Sequence, residues 1–293
     1  MLGFLLAFIS SLFFSFYVVP RKLSKLKPLE FSLLMATGFF ASSIILYLFQ
    51  PLLHFHEHLS WVLLWSLLAG AIWAASFVTF VKAIDAIGLS RSNQWKNLQG
   101  PIAAILSLIV LSEYQSTRPV FVLLSVLAIF VSAVAFTISA TKQEAKANLN
   151  GVYLAALSGV GFGTVAVIQK YVTTNVGVYS QQVVWSFAIL ASIFIYMIAT
   201  KQKLPIADIK RADTKLALGA GVLYLGASFF QLLSYKHLPA SIAFTIVQLN
   251  AVWTIAIGVF YFKEIEAKKY YKRLLLGLFF AVAGIALLAL ARR

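Results

Sequence analysis

Long apolar runs follow one another along this chain, each bounded by a few basic residues. A helix needs ~20 mostly apolar residues to cross a ~30 Å hydrocarbon core. Runs of that size cover residues 2–20, 31–50, 59–81, 119–141, 147–169, 216–235, 238–262 and 274–291, with one more inside 171–200. A tenth segment, 86–111, is apolar from Gly100 onward, but its first half carries Arg91, Asn93, Gln94, Lys96, Asn97 and Gln99. Full spans on both sides leave no room for a large loop, so it is counted as a helix. The pattern predicts an all-α membrane protein of ten transmembrane helices. Residues 1–20 have no basic start and no small-residue cleavage site, so they read as the first helix and not as a signal peptide.

Composition narrows the class. Of 293 residues, 61% are hydrophobic and 11% charged, against ~45–50% and ~25% in soluble domains. An ordinary cytosolic enzyme, a disordered chain and a disulfide scaffold are excluded, the last because there are 0 Cys. The net charge of +15 sits in the gaps between apolar runs. It therefore points to topology and the lipid bilayer, with no nucleic-acid partner. The gaps after spans 1, 3, 5, 7 and 9 hold 18 Lys and Arg, against 5 on the other side. The positive-inside rule then places the odd loops in the cytoplasm of a cell membrane and both termini outside.

The two halves of the chain match each other. At an offset of 151, Ala69-Gly70 falls on Ala220-Gly221, Ser90 on Ser241, and Glu113 on Glu264. Asn97-Leu98-Gln99 falls on Gln248-Leu249-Asn250, the same triplet with its amides exchanged. At an offset of 148, Gly3, Ala7, Ser10, Phe14 and Lys22 fall on Gly151, Ala155, Ser158, Phe162 and Lys170. An odd number of helices per copy means the second copy enters the membrane from the opposite face. We expect two inverted five-helix repeats, 1–141 and 151–293, joined by a linker at 142–150.

Two five-helix halves, each with a Glu just past its fourth helix (Ser112-Glu113 and Lys263-Glu264), resemble the drug/metabolite transporter superfamily, in its EamA-like ten-helix form. The first helix ends Tyr17-Val18-Val19-Pro20-Arg21-Lys22, similar to the Pro-x-Lys ending in the glucose/ribose porter branch, which takes up sugars. Gln94-Trp95-Lys96-Asn97 in helix 4 departs from that branch. The resemblance implies a secondary transporter with sugar uptake favoured and a proton as the candidate coupling ion. Export of amino acids or related metabolites is the alternative.

Polar residues inside spans face the bundle interior or a watery cavity. Lys96 lies ~15 Å along helix 4, too deep to reach either surface easily. All nine carboxylates fall at loops or helix ends. A lysine without a structural partner suits a carboxylate, phosphate or hydroxyl-rich ligand; otherwise it is an interfacial anchor. Helical spacing sets Asn93, Asn97 and Gly100 beside Ser92, Lys96 and Gln99. Helix 9 offers Gln248 and Asn250. Each amide alone reads as a helix–helix bond, and the duplicated cluster reads as a substrate site. Trp95, Trp73, Tyr224, Trp185 and Trp253 are candidate flat faces for a sugar ring, although packing accounts for each. Gln169-Lys170 and Gln181-Gln182 are gate candidates. Gly159 and Gly163 form a GxxxG, and Gly277, Ala281 and Gly284 line helix 10, for packing within a monomer or a homodimer. No metal, cofactor or enzymatic chemistry is expected, since no catalytic triad, Walker loop or paired intramembrane carboxylates occur. His54, His56 and His58 read as solvated loop residues. The expected partner is a small polar substrate.

Overall fold

The computed structural model of the chain describes residues 1–50, 57, 60–137, 149–202, 211–263 and 267–291. Glu264, His54, His56, His58 and linker residues 142–148 lie outside them. The described residues form helices, with no strand among them. Helix α1 is Leu2–Phe16, continued by the short piece Val19–Leu23, and α2 is Pro28–Phe49. Helix α3, Leu64–Ile87, follows a 3-10 turn at Trp61–Leu63. Helix α4 comes in two halves, Leu89–Lys96 and Gln99–Val110, and α5 is Pro119–Thr137. Then come α6, Leu149–Asn175, α7, Val178–Ala199, and α8, Ala212–Tyr235. Helix α9 is also halved, Ala240–Val247 and Asn250–Ala256, and ends in a π-turn at Ile257–Tyr261. Helix α10 is Ala267–Ala291.

Eight of these stretches are long and apolar enough to cross a membrane, and the apolar part of α5, Pro119–Ser132, is shorter. The chain is an all-α, multi-pass membrane protein. The polar first half of α4 is what keeps it out of the eight, since α9 is also split and is among them. The sequence pattern treats 86–111 and 238–262 as continuous helices, and the structure corrects both.

The main core gathers aromatic and aliphatic side chains from α1, α2, α3, α6, α7 and α8. Within it α3 packs on α6 and α7, and α8 on α1 and α2. The two halved helices run antiparallel, first half of each against second half of the other, and meet at their breaks. Helices α5 and α10 pair with each other. Gly284 faces Ile129 and Ser125, and Ser132 Oγ donates to the Gly277 carbonyl at 2.7 Å. The small-residue face of α10 is thus used within the chain.

A break inside a bilayer must still satisfy its backbone groups, because no water is there to do so. Both breaks do this by tightening to i→i−3 bonds. In α4, Leu98 N donates to Trp95 O at 3.2 Å and Gly100 N to Asn97 O at 3.0 Å. Pro101 has no N–H to offer Asn97 O, which leaves that carbonyl to Gly100. In α9, Gln248, Leu249, Ala251 and Val252 donate to the residue three back, all at 3.0 Å. Ser112 and Lys263, which end α4 and α9, share a left-handed φ of 54°. Gly88, at φ 83°, turns α3 directly into α4, a conformation that glycine adopts without steric cost.

Helix α6 seats the α4 break. A Cβ on Gly159 would stand 2.7 Å from the Lys96 carbonyl oxygen, and one on Gly163 would stand 2.9 Å from that of Gln99. The GxxxG pair therefore lets the broken backbone approach α6. Two loop charges also prove structural. Arg21 is buried and grips Asp85 with bonds of 2.6 Å from Nη2 and 3.1 Å from Nε, and it donates to Leu26 O at 2.6 Å. Glu113 accepts from Ala240 N at 2.7 Å and Ser241 N at 3.0 Å, holding the first turn of α9, where exposed N–H groups favour an anion.

Gly159→Val should push α6 off the α4 break. We expect a loss of about 1–3 kcal/mol, the usual cost of overpacking, seen as a lower melting temperature of the purified protein in detergent. A wild-type melting temperature would show that this contact does not constrain the helices.

Candidate functional site

A narrow cavity of about 30 Å³ lies where α1, α3, α4, α6, α7, α8 and α9 converge. Its narrow space is walled by Phe14, Tyr17, Trp73, Phe162, Trp185, Tyr224 and Phe244, and its polar groups come from Lys96, Gln99, Gln169 and Gln231. Lys96, the last residue of the first half of α4, and Gln99, the first of the second, share one wall of the cavity.

Lys96 is 2% exposed. Its Nζ lies 5.1 Å from the centroid of the Phe80 ring, an electrostatic attraction to the ring face. No hydrogen bond and no carboxylate reaches it from the described residues. An isolated buried charge is costly, and one aromatic face offsets only part of that cost.

The aromatic wall is itself a packed unit. Tyr224 sits at its centre, 4.8 Å from the Trp73 ring, 5.1 Å from Tyr17 and 4.9 Å from Phe39. Trp73 stacks on Phe77 at 4.6 Å. Tyr17 is one helical turn before the Arg21–Asp85 pair, so the aromatics fill the space between the cavity and that end of the bundle.

Glutamines line the cavity toward the opposite ends of α6 and α8. The Gln169 side-chain oxygen accepts from Gln181 Nε2, which also donates to Gln169 O at 3.1 Å. Thr173 Oγ1 in turn donates to Gln181 Oε1 at 2.8 Å. This ring of bonds fixes the Gln169 amide with its Nε2 left without a partner. The Trp185 indole N–H is likewise buried and unpartnered. Gln231 donates to the Tyr235 hydroxyl at 2.6 Å, and Gln182 donates to Ser228 Oγ at 2.9 Å.

The structure divides the residues that the sequence groups together. Lys96 and Gln99 reach the cavity. Gln248 does so only through its partner: Gln99 Nε2 donates to Gln248 Oε1 at 3.1 Å. Asn93 Nδ2 makes a long bond of 3.4 Å to Asn250 Oδ1, and Asn250 Nδ2 donates to Val247 O at 2.9 Å. Asn97, Gln94 and Gln248 line a separate space of about 20 Å³ bounded by α5 and α10. Trp95 packs with Ala83, Ile87 and Ala155, and Trp253 meets Phe8 edge-on at 6.3 Å, both away from the cavity. Of the aromatics considered as ring faces, Trp73, Trp185 and Tyr224 line it. Lys170 lies inside α6 and donates to the Tyr235 carbonyl and, at 3.0 Å, to that of Leu238. Sequence reasoning passes over Tyr17, Gln231 and Phe80. Gln231 carries a usable signal, an amide inside an apolar span, whereas Tyr17 and Phe80 look like any other aromatic.

The family described as "Sugar transport protein" matches residues 5–291. A protein of Lactobacillus johnsonii that carries a provisional sugar-uptake name is 29% identical over 240 residues, 80% of this chain and 79% of its own. A crystal structure superposes with a TM-score of 0.71 at 16% identity, covering 99% of this chain and 98% of the other. At that identity it supports the fold alone.

Lys96→Met keeps the length of the side chain and removes the unpaired charge. Folding should be unimpaired or improved, and the melting temperature in detergent should stay level or rise. A clear fall would mean that the Phe80 contact contributes more than desolvation of the cation costs.

Proposed function

Because the chain belongs to the sugar transport protein family, we propose that it takes up a small polar sugar across the cell membrane, binding it in the central cavity. The carrying observation is the buried Lys96 on the cavity wall, a cation with no carboxylate of its own. Enzymatic turnover has no place in this reading, which needs only binding and a change of access.

The motion we propose is a rocking of two inverted five-helix repeats, 1–141 and 151–293, around that site. Three features support it: the two breaks lie 151 residues apart, the left-handed residues Ser112 and Lys263 lie at the same spacing, and the broken helices cross antiparallel. The same features favour placing the chain in the drug/metabolite transporter superfamily. In this arrangement Lys96 and Gln99 address the substrate directly. The Asn93–Asn250 and Gln99–Gln248 bonds hold the crossing of α4 and α9. The excess of basic residues in the odd loops favours a cytoplasmic placing for them and an outside placing for both termini. No Asp, Glu or His lies at mid-membrane among the described residues. Any proton coupling would therefore run through Lys96, the basic group that lines the cavity among the described residues.

In proteoliposomes Lys96→Met should cut uptake at least about tenfold at normal expression, while a Lys236 substitution at the end of α8 should do much less. Wild-type uptake by a folded Lys96→Met protein would remove Lys96 from the site. An imposed pH gradient should not accelerate uptake by Lys96→Gln. Strong gradient dependence in that variant would place the proton elsewhere.

A further inference from the structure

The polar groups around the central cavity are unevenly matched, and the mismatch names a class of ligand. The Lys96 ammonium faces the Phe80 ring with no carboxylate beside it among the described residues, and two more donors on the wall, the Trp185 indole N–H and the Gln169 amide Nε2, are buried without a partner. Their residues are 2%, 4% and 1% exposed, so bulk water does not satisfy them. The wall's acceptors are amide and phenol oxygens, from Gln99, Gln231, Tyr17 and Tyr224, and no carboxylate is among its residues. The Gln169 oxygen is already occupied by Gln181.

A neutral sugar hydroxyl can use a donor or an acceptor equally well. It gives no return for burying a cation. A ligand with a carboxylate would give each idle donor an acceptor and would neutralise Lys96, and hydrogen bonds between ionised groups are roughly twice as strong as neutral ones. The charge count also matters. One lysine balances one negative charge, whereas a phosphate carries about −1.5 to −2 near neutral pH. The aromatic faces of Tyr17, Trp73 and Trp185 remain available to the C–H faces of a ring.

Resting on the sugar-transport reading above, we infer that the preferred substrate is a sugar bearing a single carboxylate, such as a uronic or aldonic acid. The carboxylate would sit among Lys96, Trp185 and Gln169, and the hydroxyls would sit against the amides of Gln99 and Gln231.

The test uses the purified full-length protein with D-glucuronate, D-glucose and D-glucose 6-phosphate at matched sodium concentration. Binding is read by thermal shift and transport by uptake into proteoliposomes. Wild type should respond to glucuronate at a concentration at least about tenfold lower than to either other sugar. Lys96→Met should erase that preference by weakening glucuronate at least about tenfold more than it weakens glucose, and Lys96→Arg should retain it. Trp185→Phe, which deletes one donor and keeps an aromatic face, should weaken glucuronate severalfold, and it decides the matter if Lys96→Met does not fold. Glucose equal to or better than glucuronate in the wild type overturns the inference and leaves sugar transport standing. A preference for the phosphate overturns the single-carboxylate assignment. Equal weakening of glucose and glucuronate in Lys96→Met shows that the charge does not select. No response to any of the three removes the sugar reading and this inference together.

Discussion

Two helices that stop and restart in mid-membrane set the conditions for everything else in this protein. Hydrocarbon offers no hydrogen bonds, so an interrupted helix must satisfy its own carbonyls and must be enclosed by protein. Helices α4 and α9 meet the first demand by tightening around Leu98 and Leu249. They meet the second by crossing each other, so that each covers the other's break. Gly159 and Gly163 then become necessary, because a side chain at either position would meet the α4 backbone. Lys96 and Gln99, on either side of the broken turn, face the same cavity.

The amides around the crossing do two kinds of work. Most are consumed internally. Asn93 binds Asn250, Gln99 binds Gln248, and Gln181 binds Gln169. Such bonds contribute only about 0.6 kcal/mol each on average within membranes, so their main effect is to fix orientation. What they leave over matters more. With its oxygen held by Gln181, Gln169 has only a donor to present, and the packing that fixes the Trp185 ring leaves its N–H without an acceptor. Together with Lys96 these give the cavity a surplus of positive, hydrogen-donating character inside an aromatic shell.

The two ends of the bundle are tied by different chemistry. At one end Arg21 on α1 holds Asp85 on α3, and Lys25 N donates to Asp213 at the start of α8. At the other end Glu113 holds the first turn of α9, while Lys170 of α6 bonds the carbonyls that finish α8. Each tie joins helices that line the cavity to one another. Any change of access must break or carry along one set. The aromatic cluster around Tyr224 lies between the cavity and the Arg21 end, so that side is closed by packing as well as by charge.

The class of the protein and the position of its spans were written in the sequence, because the cost of exposing charge to hydrocarbon acts on each residue separately and leaves a one-dimensional record. The depth of Lys96 and its lack of an acidic neighbour were also readable, since every carboxylate lies near a span end. The match of Asn97-Leu98-Gln99 to Gln248-Leu249-Asn250 marked the two places where the helices break, though not that they break. That event depends on backbone bonds of 3.0 to 3.2 Å and, in α4, on a proline two residues beyond Gln99. Only the tertiary structure could sort the amides, because helical spacing sets Asn93 and Asn97 beside Lys96 and Gln99 without fixing which neighbouring helix each face meets. Nor could spacing along the chain bring Tyr17, Gln169, Trp185 and Gln231 to one cavity. They come from four different helices, and their meeting is decided by how those helices cross, which depends on contacts between residues far apart in sequence.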